Sequence, residues 1–250
     1  MIRLVLVITT YLVTMICQGQ VSETRKLDGF SGIEVQTGIE LIFTQKNSQS
    51  IKVETDDAEK MQKIKTVVNA GILKVFVKSN KDKSGTNRFK VLKVYVSQKD
   101  INSFGAGSGG SIKIIGEVNT DKMLLNLNSG SSFSGKIQSK IIDLKLSSGS
   151  RFDGNIVTNT FNGDFGSGSS TRLVGKSKQA LININSGASC DAQNFSVDDV
   201  VVQANSAASI SITANQSLKA NASSASKIHY YGSPEKVEIK NHSSAKIVKK

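Results

Sequence analysis

The chain is poor in proline, tryptophan, cysteine and histidine: one Pro, no Trp, two Cys and two His in 250 residues. A single proline leaves long hydrogen-bonded ladders uninterrupted, because proline cannot donate to a sheet. Of the cysteines, Cys17 ends an N-terminal apolar stretch, so its removal with that stretch leaves Cys190 alone and no intramolecular disulfide can form. Stability must then come from a core and from backbone pairing. With only His229 and His242 available, both close to the C-terminus, histidine-rich metal sites and an ordinary Ser/His/Asp triad have little to draw on. Four Tyr and ten Phe without Trp also leave few stacking platforms for bases. The longest apolar run, Leu4 to Ile16, falls short of the roughly 20 residues that a spanning helix needs.

That run has a different reading. Arg3, the apolar stretch and the sequence Cys17-Gln18-Gly19 form a secretory signal, assigned to residues 1–19, with export to the periplasm, the cell surface or the medium. Lipidation of Cys17 is the minor alternative, since Ile16 is too large for the position before a lipidated cysteine. The net charge of +12 is spread evenly: from residue 121 onward there are 15 Lys and Arg against 9 Asp and Glu, half of the excess. Most lysines sit between two apolar residues, as in Leu73-Lys74-Val75 and Leu144-Lys145-Leu146, where strand alternation turns them outward. A solvated outer face is expected, and no nucleic-acid partner.

What is abundant is a repeated phrase. It recurs as Asn128-Ser129-Gly130-Ser131, Ser147-Ser148-Gly149-Ser150, Gly166-Ser167-Gly168-Ser169, Asn185-Ser186-Gly187-Ala188, Asn205-Ser206-Ala207-Ala208 and Ser223-Ser224-Ala225-Ser226, with looser copies at 107–110 and 242–245. The serines at 108, 129, 148, 167, 186, 206, 224 and 243 are separated by 21, 19, 19, 19, 20, 18 and 19 residues. Between copies the sequence alternates with a period of two, and each repeat is expected to hold two or three short strands. A repeat of about 19 residues with strands alone predicts an all-β fold, a right-handed parallel β-helix over residues 105–250, each turn stacked about 4.8 Å above the last. Gly130, Gly149, Gly168, Gly187, Ala207 and Ala225 form its corner column. Because alanine replaces glycine there, small size is expected to matter more than a positive φ. Serine and asparagine beside them are expected to bond from rung to rung. Residues 20–104 are strand-rich without the phrase and read as an N-terminal β cap, with a separate sandwich as the alternative; Ala58 to Lys63 suggests one helical turn.

The string Leu27-Asp28-Gly29-Phe30-Ser31-Gly32-Ile33-Glu34-Val35, then Gly38-Ile39-Glu40-Leu41 and Leu92-Lys93-Val94-Tyr95-Val96, resembles the bacterial family called the putative auto-transporter adhesin head GIN domain. The resemblance covers nearly the whole exported chain and implies an exported β-helix protein of adhesin type, of the kind found in Bacteroidetes-like bacteria. Its motifs are structural, so they imply no catalytic residue. The repeat runs to Lys250 and no membrane barrel is expected after it.

Chemistry-bearing patterns are few. Cys190 falls on an inward position of its repeat and reads as a buried, inert thiol. Asp56, Asp57 and Glu59 cluster without the glycine and spacing of a calcium loop. The run from Gly105 to Gly110 lacks the lysine and helix of a phosphate loop and reads as turns. Tyr230-Tyr231 is the one exposed-looking aromatic pair. Asp153, Arg172 and Asp191 each lie five residues beyond a repeat serine, so the register stacks acid, base and acid. As a polysaccharide-cutting pair the two aspartates would stand about 10 Å apart; an arginine between them favours a structural ladder. The expectation is therefore a non-enzymatic, adhesin-like binding protein with no cofactor, whose partner is a glycan, a protein or an envelope component. Self-association is left open, and the enzyme at Asp153, Arg172 and Asp191 is the alternative.

Overall fold

A computed structural model describes residues 21–78 and 90–250. The proposed signal, including Cys17, and the polar loop around residues 80–87 lie outside them. The described chain is all-β, a parallel β-solenoid of about eight turns. Five full coils, β9 (Ser111–Leu127), β10 (Ser132–Leu146), β11 (Arg151–Phe165), β12 (Ser170–Ile184) and β13 (Ser189–Ala204), stack in parallel, each on its predecessor. Then follow β14 (Ser209–Ala222), β15 (Lys227–Tyr231), β16 (Lys236–Asn241) and β17 (Lys246–Lys249). The expected two or three short strands per repeat are in fact one continuous strand of 14 to 17 residues in each of β9 to β14. The chain bends at its corners without losing its ladder, because every rung bends at the same position as its neighbours.

The repeated phrase is a turn with both central residues in the left-handed region. Ser129 and Gly130 have φ of 51° and 69°, and the Ser131 N–H donates to the Asn128 carbonyl at 3.1 Å, the signature of a type I′ turn. Contrary to expectation, small size is not what this corner requires. A Cβ placed on Gly130, Gly149, Gly168 or Gly187 would meet nothing within 4 Å, so the corner is open to solvent. Ala207 and Ala225 nonetheless hold φ of 59° and 61°. The column is selected by backbone conformation, with alanine accepting a strained one. The N–H of each column residue donates to the turn serine one coil on, as Gly130 does to the Ser148 carbonyl and Ala207 to that of Ser224, at 3.0 and 2.9 Å. Next to it, the buried Ser131, Ser150 and Ser226 donate their Oγ–H to the carbonyls of Ala106, Leu127 and Ala204 on the preceding coil at 2.8, 3.0 and 2.8 Å.

Departures from a 19-residue interval are absorbed at a different corner. Between β9 and β10 the register slips across Ile114-Ile115-Gly116, where two extra residues face the single Gly135, and this produces the interval of 21. One extra residue before Asn194 gives the interval of 20, and the shortened stretch in β14 gives 18. The turns stay in phase because the bulges take up the slack.

Within 21–110 the strands are shorter. β2 (Gly32–Val35) pairs in parallel with β6 (Ile72–Val77) and β8 (Ser103–Ala106), and β3 (Glu40–Gln45) with β7 (Leu92–Gln98) and β9. They form the first rung of the same sheet. β4 (Ser50–Thr55) closes on β7 antiparallel, β1 (Val21–Arg25) on β4, and β5 (Ile64–Asn69) on β6. A short helix, α1 (Ala58–Lys63), lies where the helical turn is predicted. The acidic cluster belongs to it: Asp57 caps its N-terminus by accepting the Glu59 N–H at 2.7 Å, and Asp56 pairs with Lys60 at 2.8 Å. One apolar core runs from Phe30 to Tyr230, with Phe43, Phe104, Phe133 and Phe152 in successive ring contact at 5.1, 5.9 and 5.2 Å.

Candidate ligand groove

The coil segment that follows the bulged corner carries three inward columns of apolar residues, and between them two outward ones. The first outward column runs Ser103, Leu124, Asp143, Asn162, Leu181, and the second runs Glu34, Gly105, Asn126, Lys145, Asp164, Asn183, each residue in register with the next. Gly105 is the low point. Its missing side chain leaves a depression between Glu34 and Asn126, where a Cβ would come to 3.4 Å from Glu34 Cγ. Glu34, Gln36 and Ile72 overhang that depression from the first rung, and the result is a groove of about 540 Å³ along the sheet face.

Its charged groups are tied to one another across rungs. Asp143 accepts a hydrogen bond from Asn162 Nδ2 at 2.7 Å on one oxygen and pairs with Lys122 at 3.0 Å on the other. Burial pushes the Asp143 carboxyl up, but the hydrogen bonds from Asn162 and Lys122 outweigh it, and the group lies below its ordinary range. Lys145 approaches Asp164 to 3.9 Å. At the overhang Glu34 pairs with Lys74 at 3.6 Å and accepts from Gln36 Nε2 at 2.6 Å. The groove thus offers carboxylates that already have a cation, amides with donors and acceptors, and two exposed leucines, Leu124 and Leu181, three rungs apart. Hydrogen bonding to a polar ligand is within its chemistry. Among the described residues no cluster of three or more His, Cys, Asp or Glu could hold a metal ion.

The residues singled out in the sequence lie elsewhere. Asp153, Arg172 and Asp191 do stack in register, and all three are exposed. No ion pair joins Arg172 to either carboxylate; Asp191 instead accepts the Gln193 N–H at 3.4 Å. Three solvated side chains gain too little from one another to lock together. None of them lines the groove. Tyr230 is not the exposed aromatic that its sequence suggests: it takes an inward position beside Ile212 and is 9 % exposed. Cys190 is buried between Thr171 and Ile210, and burial, with the Asp191 carboxylate beside it, drives its thiol pKa far up. Asp143, Asn162 and Asp164 escape notice in the sequence because outward residues of a strand all look like solvated ones. What raises them above the rest is Gly105, two to three rungs earlier in the same sheet.

The sequence matches the model of the family described as putative auto-transporter adhesin, head GIN domain, over residues 29–234, and the chain belongs to that family. Solved structures agree on the fold. A putative adhesin from Parabacteroides merdae is 18% identical with a TM-score of 0.86, covering 92% of this chain and 96% of its own. A putative lipid binding protein from Parabacteroides distasonis is 20% identical with a TM-score of 0.84, over 92% and 96%. A putative adhesin from Bacteroides fragilis is 17% identical with a TM-score of 0.66, over 93% and 97%. A search of curated proteins gives no match.

Proposed function

We propose that the protein is an exported, non-catalytic, adhesin-like binding protein that holds an extended ligand of the cell envelope or of a host surface in the groove at Gly105. Residues 1–19 serve as its export signal, and its place is the periplasm, the cell surface or the medium. Membership of an adhesin-head family supports this reading, as does the lack of any helix among the described residues long and apolar enough to cross a membrane. The observation that carries it is the groove itself: a depression that the fold makes by omitting one side chain from an outward column, floored by amides and paired carboxylates.

Filling the depression tests it. Gly105 has an ordinary φ, and a long side chain there can extend outward over the groove while leaving the core intact. Labelled wild-type protein should bind envelope or host-cell preparations, and Gly105→Arg and Asn183→Trp should lose most of that binding while keeping the circular dichroism and unfolding midpoint of the parent. Equal binding by the filled variants would remove the groove from the function.

A further inference from the structure

The charge pattern of the groove, resting on the reading of it as the ligand site, says what kind of ligand it takes. Its carboxylates Glu34, Asp143 and Asp164 each have a lysine within 4 Å, from the neighbouring column or rung: Lys74, Lys122 and Lys145. Elsewhere on this chain of net charge +12, lysines without an acidic partner are plentiful, Lys176 and Lys178 on the next face among them. A polyanion entering the groove would have to displace a carboxylate from each cation it used, and a polycation would face the lysines. An uncharged polyhydroxyl chain meets neither obstacle. Its hydroxyls can donate to the unused lone pairs of Asp143 and Asp164 and exchange both kinds of hydrogen bond with Asn126, Asn162 and Asn183.

We infer that the groove binds a neutral glycan strand lying along the solenoid axis. The axis direction follows from repetition: amide or carboxylate groups recur at every rung from Asn126 to Asn183, about 4.8 Å apart, close to the length of one 1,4-linked pyranose unit. Across the strands only two outward columns are available, so a strand lying crosswise would leave the overhang at Glu34 unused. Leu124 and Leu181, 44 % and 42 % exposed, bracket Asp143 and Asn162 in the first column and offer aliphatic surface to the C–H faces of sugar rings at either end. Three rung steps span the site, and it accommodates about four sugar units.

The test is calorimetric titration with neutral gluco-, manno- and N-acetylglucosamine oligosaccharides of two to six units, in 50 mM and 500 mM NaCl, with polyuronate and chitosan oligomers beside them. At least one neutral series should bind, gaining affinity up to about four units and little beyond, with less than a twofold change between the two salts. Asn162→Ala, which removes a donor without touching the core, should weaken it at least tenfold. Polyuronate binding, if seen, should vanish at 500 mM salt and be indifferent to Asn162→Ala. Tight, groove-dependent binding of a charged oligomer, or no neutral ligand while Gly105→Arg still abolishes binding to envelope or host surfaces, would overturn the ligand class and leave the groove standing. If Gly105→Arg changes no binding of any kind, the groove itself fails as the site.

Discussion

Individual residues show where this fold is tight and where it is strained. Thr171 stands in an inward column between Phe152 and Cys190, and its Oγ1 is buried without a partner. A buried hydroxyl that makes no hydrogen bond costs about 1 to 3 kcal/mol, so Thr171→Val, of nearly equal volume, should raise the unfolding free energy by about 1 kcal/mol in urea titration. Ser169 Oγ is in the same state, whereas its counterpart Ser150 bonds to Leu127; Ser150→Ala should cost about 1 kcal/mol and Ser169→Ala nothing. The corner column makes the complementary case. Ala225→Gly relieves a left-handed alanine worth roughly 1 to 2 kcal/mol and loses part of this to a freer unfolded chain. A net gain of about 0.5 to 1 kcal/mol is expected, and a loss of similar size for Gly168→Ala, both read from thermal or urea unfolding. Cys190, deep in the core with its thiol pKa raised, should resist thiol reagents at pH 8 in the native protein and react at once in denaturant.

At the level of elements, the sequence announces its turns better than its strands. The phrase built on Asn128, Ser129 and Gly130 is visible because a type I′ turn restricts both central residues, and its recurrence locates every coil. Strand ends are not visible, because each coil bends without a breaking residue, and so 15 alternating residues look like two or three separate runs. The bulges at Gly116 and before Asn194 show in the sequence only as intervals of 21 and 20 residues, which do not locate them within the coil. The groove was legible only as alternation, Ile142-Asp143-Leu144-Lys145, since its concavity comes from β8 and β2, distant in sequence. Asp56, at the start of α1, connects to stability through pH. The hydrogen bond from Lys60, aided by the Lys90 N–H against the burial that opposes it, holds its carboxyl well below the ordinary range, and Asp143 is shifted the same way. Both groups have pKa values depressed by folding, so their contribution is complete above the unfolded value near 3.9 and disappears as pH falls through the lower folded values. The unfolding midpoint should therefore be flat with respect to these two groups from pH 7 to about 5 and drop below about pH 4. In Asp56→Asn that drop should be shallower.

For the molecule as a whole, stability passes from neighbour to neighbour. Each coil rests on two others, but β16 and β17 have a partner on one side only, and the inward-column residues Val237 and Ile239 are 46 % and 42 % exposed. The first rung is different, with β4, β1 and α1 folded over its core. Hydrogen exchange should accordingly be fastest at 236–249 and slowest in β10 to β13, with protection rising rung by rung inward. Uniform protection along the coils would show a single cooperative unit instead.

The bonds between coils all point along the rod. A tether pulled at its two tips therefore loads them head-on and singly, so that it lengthens by shedding one coil at a time at modest force. Pulled sideways across a coil, the same molecule sets the whole ladder of one coil against the load together. A rod built this way yields gradually to tension along its axis and stiffly to a load across it.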